Sequence, residues 1–164
     1  MLIQMFEKTS LRTRISFYLA IKQLGGGTLT LRSNELHLGQ GGESISDTAK
    51  ILSTYGDGFM LRTNSDKKIE NFRDHLSIPI INGLSPSSHP TQVLSDIFTV
   101  EEITKKPVSK LNICWVGDSN NVLNSLIAAS VKFCFKLSIG CPKKFEPSRK
   151  VIAWVKNNNK KIFV

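Results

Sequence analysis

The sequence predicts an α/β protein: a parallel-sheet domain with α-helices on both faces, followed by the beginning of a second α/β domain. Three observations predict it. Short apolar runs alternate with stretches of helical period along the whole chain. Glycines, capping residues and turn clusters separate them. Lys105-Lys106-Pro107 breaks the pattern and divides the chain into residues 1–106 and 107–164. Strands that alternate with helices pair in parallel through right-handed crossovers.

Residues 2–6 form an apolar run that reads as a strand. From 10 to 24, Ile15, Tyr18, Leu19 and Ile21 recur close to the helical period. Gly25-Gly26-Gly27 stops that helix, since glycine accepts the left-handed conformation at a helix end. A strand at 28–31 and a polar, glycine-containing loop at 32–44 come next. Ser44-Ile45-Ser46-Asp47 has the form of a capping box opening a helix to Tyr55. Strands at 58–61 and 78–81 flank a helix at 65–76, and residues 82–88 are rich in turn formers. A long amphipathic helix spans about 90–104. Beyond the break come a buried strand at 111–116, with Trp115 and Val116 read as core, a helix at 121–133 and a strand at 136–139. A short helix at 148–156 and a strand at 161–164 end the sequence, and the second unit reads as cut off.

With 164 residues, 40% hydrophobic and 21% charged, the composition is that of a soluble globular chain with room for one domain and part of another. No apolar run has the length of a membrane helix, and the first six residues are too few for the apolar core of a secretory signal. Cys114, Cys134 and Cys141 lack metal-ligand spacing and read as buried, reduced thiols, which fits a cytoplasmic protein. The net charge of +9 is concentrated in residues 131–164, where nine Lys and Arg face the single acid Glu146. Lys156-Asn157-Asn158-Asn159-Lys160-Lys161 has no interleaved aromatics, so neither a nucleic-acid nor a membrane partner is expected.

The strongest chemical signal is Phe6-Glu7-Lys8-Thr9-Ser10-Leu11-Arg12-Thr13-Arg14, where a strand delivers the chain into a helix. The first turn of a helix offers unpaired N–H groups and the positive end of the helix dipole. Ser10 and Thr13 add hydroxyls and Arg12 a guanidinium, all suited to phosphate oxygens. On residue types alone, a Ser N-cap followed by two solvated arginines is an equal alternative. A second segment, Asn82-Gly83-Leu84-Ser85-Pro86-Ser87-Ser88-His89-Pro90-Thr91-Gln92, also lies between a strand and a helix. There His89 can donate to a carbonyl oxygen and Gln92 can meet the amide end of a small substrate. A lone His before Pro can equally be a turn residue. Arg62 ends a predicted strand, and on residue type alone it reads as a solvated arginine. Gly117-Asp118-Ser119-Asn120-Asn121-Val122 comes after another strand, without the Gly-x-Gly-x-x-Gly of a dinucleotide site.

Taken together these segments resemble the carbamoyltransferases. The first is similar to the family's Phe-x-Lys-x-Ser-Thr-Arg-Thr-Arg signature, with Leu11 where threonine is usual. The Asn82 loop and Asn120-Asn121 resemble the ornithine branch, and the matches run in family order from Phe6 to Pro147. The resemblance implies that Ser10, Leu11, Arg12 and Thr13 bind the phosphate of carbamoyl phosphate. It implies that Arg62 bridges phosphate and carbonyl oxygen, with His89 and Thr13 also on that oxygen and Gln92 on the amide. His37-Leu38-Gly39 resembles the loop that reaches a neighbouring subunit's site in the family homotrimer, with an extra residue around Gln40-Gly41-Gly42. Asn121 would contact the amino-acid group of L-ornithine. The implied reaction is carbamoyl transfer from carbamoyl phosphate to the side-chain amine of ornithine, giving citrulline and phosphate in arginine biosynthesis, with no metal or cofactor.

The domains implied are a carbamoyl-phosphate-binding domain at 1–106 and a partial ornithine-binding domain at 107–164. The family's Asp-x-x-x-Ser-Met and His-Cys-Leu-Pro segments have no counterpart in these residues, nor does its N-terminal helical arm. Weak or no turnover by this chain alone is therefore expected. The other readings are a non-catalytic carbamoyl-phosphate-binding remnant and a relative that uses another amine acceptor such as putrescine.

Overall fold

The computed structural model describes residues 1–32, 42–158 and 162–163. They form two compact units, Met1–Pro86 and Ser87–Val164. The first holds β1 (Leu2–Phe6), α1 (Leu11–Gln23), β2 (Thr28–Arg32), α2 (Ile45–Tyr55), β3 (Gly58–Arg62), α3 (Asp66–His75) and β4 (Ile80–Leu84). The second holds α4 (Pro90–Thr104), β5 (Asn112–Val116), α5 (Asn121–Lys132), β6 (Lys136–Gly140), α6 (Arg149–Asn158) and β7 (Ile162–Phe163). By packing, α4 thus belongs with the second unit. Val93 and Ile97 of α4 are buried in the core of the second unit. Lys105-Lys106-Pro107 is a turn inside that unit: Lys105 closes α4 at φ 54°, and the Val108 N–H donates to Glu101 Oε1 at 2.6 Å. Among the described residues no helix is long and apolar enough to cross a membrane.

The first sheet is wholly parallel in the order β2-β1-β3-β4. The chain therefore steps from β1 to one side, then crosses to the other. Right-handed crossovers place α1 on one face and α2 and α3 on the opposite face. On the latter face Ile3, Met5, Phe59 and Leu61 pack against Ala49, Leu52 and Phe72. Phe59 and Phe72 meet with ring centroids 5.1 Å apart, and both are fully buried. Burial of each such side chain contributes about 1.5–3 kcal/mol. The α1 face differs: the helix forms where its period predicts, yet none of its residues is buried. Leu11, Ile15, Tyr18 and Leu19 are exposed. Gly25, at φ 79°, ends α1 as expected.

Ser44 caps α2, and its hydroxyl also bonds the Asp47 side chain directly. The Asp47 N–H donates to Ser44 Oγ at 3.1 Å, and the Ser44 hydroxyl donates to Asp47 Oδ2 at 2.7 Å. β4 departs from the sequence reading, which ended the strand at Ile81 and made a turn of residues 82–88. Asn82, Gly83 and Leu84 continue the strand, with a register shift that pairs Leu61 with Asn82 and Arg62 with Leu84. The absence of a side chain is what Gly83 supplies here. A Cβ at this position would lie 2.4 Å from Met60 Sδ and 3.4 Å from the Leu61 carbonyl oxygen.

In the second unit β5, β6 and β7 pair in parallel. Ile113 and Trp115 pack onto a core of Leu123, Ile127, Phe135 and Leu137. The alternation of β5 turns Asn112, Cys114 and Val116 outward, so Val116, read as core from the sequence, is 84% exposed. The cysteines also differ from the buried thiols expected. All three are free, but Cys114 and Cys134 are exposed and Cys141 is half-buried. Cys134 comes just after α5 at φ 57°, a turn position that faces solvent.

A carboxylate ties together the loops that leave β1 and β3. Glu7 accepts hydrogen bonds from the Lys68 ammonium through Oε1 and from the Thr63 hydroxyl through Oε2. Burial raises its pKa, but the Lys68 and Thr63 hydrogen bonds, the Lys68 charge and the Asn64 N–H outweigh that and hold it below the ordinary 4.5. The unfolded chain therefore binds more protons in this interval, and the stabilisation present near neutrality is lost as pH falls through the folded value. Chemical denaturation between about pH 5 and about pH 3 is expected to show a shallower loss of stability in Glu7→Gln than in the parent. Gly83→Ala is expected to cost about 1–3 kcal/mol by overpacking against Met60, read as a lower midpoint in thermal unfolding.

Candidate functional site

Strand order places the candidate site. β1 lies between β2 and β3, so the loops leaving β1 and β3 diverge at their carboxyl ends, where open α/β sheets receive ligands. The pairing of Phe6 with Arg62 brings those two ends into register. From β1 the chain runs through Glu7-Lys8-Thr9 into α1, and from β3 it runs through Thr63-Asn64-Ser65 into α3.

The start of α1 is left open. Ser10 holds the N-cap position in an extended conformation, φ −156°, but its hydroxyl makes no capping hydrogen bond. By contrast, Ser44 caps α2, Ser65 caps α3, and Asn120 caps α5 by accepting from the Val122 and Leu123 N–H groups at 2.9 and 3.1 Å. The hydroxyl that would have satisfied the first turn of α1 remains available to a ligand, as do the N–H groups of that turn. The side chain of Leu11 is 74% exposed, so the leucine changes what borders the turn and keeps its backbone donor.

Arg62 supplies the cation. Its Nη1 donates to Thr13 Oγ1 at 3.3 Å, across the space between β3 and the first turn of α1. Its Nε is buried with no hydrogen-bond partner, and the ion pairs among the described residues include none to Arg62. Burial lowers its pKa from the ordinary arginine value, and arginine side chains stay protonated in proteins. A fixed cation, a hydroxyl and an uncapped helix start suit a small oxyanion such as a phosphate group. A cleft of about 480 Å³ opens on the β2 side of the same loop, lined by Phe6, Glu7, Lys8, Ser10, Leu11 and Arg32 among others. Arg62 and Thr13 are not in its wall, so the donors and not the cleft mark the anion position.

The other residues singled out from the sequence fall in three places. Arg12 is exposed on the first turn of α1. His37 lies outside the described residues. His89, Gln92 and Asn121 are in the second unit. His89 occupies the N-cap of α4, where its N–H donates to Ser125 Oγ at 2.8 Å and its Nδ1 lies 3.3 Å from Thr91 Oγ1. Gln92 Nε2 donates to Asp96 Oδ1 at 2.8 Å. Asn121 is the first residue of α5. Sequence reasoning assigned no role to Thr63, Lys68, Asn124 or Ser125. Asn124 Nδ2 donates to the Ser87 carbonyl at 3.1 Å, so two neighbouring α5 side chains hold the segment leading to His89. Nothing local in the sequence marks these pairs, whose members lie tens of residues apart. Among the described residues no group of three or more His, Cys, Asp or Glu side chains gathers as a metal site would require.

Comparison with known proteins bears on the family and the fold. Residues 1–102 match the family described as aspartate/ornithine carbamoyltransferase, carbamoyl-P binding domain, and residues 109–163 match its Asp/Orn binding domain. The ornithine carbamoyltransferase of Rhizobium meliloti is 43% identical over 100% of this chain and 54% of its own length. That of Agrobacterium fabrum is 43% identical over 99% of this chain and 52% of its own. Among solved structures, ornithine carbamoyltransferase from Pyrococcus furiosus superposes with a TM-score of 0.87 at 40% identity, over 96% of this chain and 50% of that one. The Campylobacter jejuni anabolic enzyme gives 0.89 at 37% identity, over 99% and 55%. The chain spans about half the length of these relatives. With both family domains matched in order along the sequence, the chain belongs to the aspartate/ornithine carbamoyltransferase family.

Proposed function

We propose that this chain binds carbamoyl phosphate at the start of α1, as the carbamoyl-phosphate half of an ornithine carbamoyltransferase. The observation that carries the reading is Arg62. It is a half-buried guanidinium with no carboxylate partner among the described residues, bonded to Thr13 on the first turn of a helix that no side chain caps. Partial burial of a cation without a counter-ion opposes folding, and an arriving phosphate dianion offsets that penalty. Family membership supports carbamoyl phosphate as that anion, and the names of the relatives support ornithine over putrescine as acceptor.

In the reaction the uncharged side-chain amine of ornithine attacks the carbonyl carbon. The C–N bond forms, the bond from carbon to the phosphate oxygen breaks, phosphate leaves with the electron pair, and the nitrogen loses a proton. Ser10, Arg12, Thr13 and the Leu11 N–H hold the phosphate. Arg62 and Thr13 meet the negative charge that builds on the carbonyl oxygen. Resemblance alone supports His89 on that oxygen, Gln92 on the amide, Asn121 on the amino-acid group of ornithine and His37 as a ligand from a neighbouring subunit. It also supports a homotrimer and a role in arginine biosynthesis. A cytoplasmic setting is further supported by the three free thiols.

Titration calorimetry of the 164-residue chain with carbamoyl phosphate and with inorganic phosphate tests the reading. Both are expected to bind, and the absence of binding heat with either ligand would sink it. Arg62→Ala is expected to weaken both by on the order of 10- to 100-fold, the equivalent of ~1.5–3 kcal/mol for a hydrogen bond to a charged group. Leu11→Thr, which adds a hydroxyl at an exposed position, is expected to tighten both by roughly 2- to 10-fold in the same titration.

A further inference from the structure

A carboxylate three residues before an anion-binding helix start is unfavourable on charge alone. Glu7 is nevertheless there, with its side chain 13% exposed, and its bonds explain how it is tolerated. Lys68 pairs with one oxygen and Thr63 donates to the other, so the pair presents no net charge to the loop. The same residue fixes β3 by its backbone, because the Glu7 N–H donates to the Arg62 carbonyl at 3.0 Å. Thr63 is fully buried, and its N–H donates to the Leu84 carbonyl at 3.0 Å. Its Oγ1 also accepts from the Ser65 N–H at 3.1 Å. The backbone on both sides of the Arg62 side chain is therefore held from β1, β4 and the start of α3. The register shift in β4 falls at this residue, as bulges beside functional sites do when they re-aim a side chain.

We propose that Glu7, Thr63 and Lys68 are positioning residues that fix the Arg62 guanidinium against Thr13 and the start of α1, so that the anion meets a preformed cation. The proposal rests on the reading of that corner as the carbamoyl-phosphate site. It assigns the three side chains no contact with substrate. Their work is the distance between two loops that the sheet alone would leave free to separate.

The sign of the effect separates positioning from simple electrostatics. Removing a negative charge near an anion site tightens anion binding if charge is all that matters. Positioning requires the opposite. Calorimetric titration of the 164-residue chain with carbamoyl phosphate is expected to show Glu7→Gln binding about tenfold more weakly than the parent. Thr63→Val alters no charge and is expected to act in the same direction, with Thr63→Ser restoring the affinity. In an Arg62→Ala background both substitutions are expected to change affinity by less than about twofold, because the group they position is gone. Thr63→Val carries the test if Glu7→Gln fails to give a cooperative thermal transition. Unchanged or tighter binding in both single variants overturns the proposal. So does an equal loss with and without Arg62, which would mark a general structural role. Failure of the parent chain to bind carbamoyl phosphate removes the site reading itself and this proposal with it. Parent binding without a Glu7 or Thr63 effect removes the proposal alone.

Discussion

The pairing of Phe6 with Arg62 is the constraint on which the candidate site depends. It is a consequence of sheet order: β1 sits between β2 and β3, and the chain must leave it in one direction and return on the other side. The carboxyl ends of β1 and β3 are then neighbours with diverging loops. One loop ends in a helix start and the other begins with an arginine. Neither is distinctive alone, and the hydrogen bond from Arg62 to Thr13 exists because the register puts them opposite one another. The glycine at position 83 serves the same corner at one remove, since β4 can approach β3 only where no Cβ meets Met60.

Local stability and the candidate chemistry are set against each other in α1. The helices that begin at Ile45, Asp66 and Asn121 are each closed by a side-chain cap, worth about 1 kcal/mol apiece. α1 has no such cap and buries none of its residues. Departures from local rules of this kind concentrate where a ligand is bound. The compensation is spread over the neighbours: a glycine that ends the helix, and a carboxylate that joins the loop before it to the loop after β3.

Much of this was legible in the sequence, because alternation of apolar runs and helical stretches is a local signal. The helix cap at Ser44, the glycine stop at Gly25 and the strand-to-helix motif at Ser10 are all readable within a few residues. What was not legible depends on distant partners. That α4 packs with the second unit, burying Val93 and Ile97 in the core that α5 also joins, is a fact of packing and not of composition. Asn82-Gly83 looks like a turn, but Met60, more than twenty residues earlier, makes the glycine a point of close strand approach. Lys68 lies 61 residues after its partner Glu7, and no local pattern links them. Cys114 and Val116 belong to an apolar run that reads as buried, and only the orientation of β5 on its core decides which alternate residues face out.

The central position of β1 also orders events in time. Both of its neighbours are made after it, the first beginning at Thr28 and the second at Gly58. Its inward residues Ile3 and Met5 have no Phe59, Leu61 or Phe72 to pack against until those have been synthesised. At ~5–20 residues per second on the ribosome, the 56 residues from Leu2 to its β3 partner Gly58 represent an interval of about 3–11 s. Through that interval an apolar strand with unsatisfied backbone groups is open to chaperones and to strands of other nascent chains.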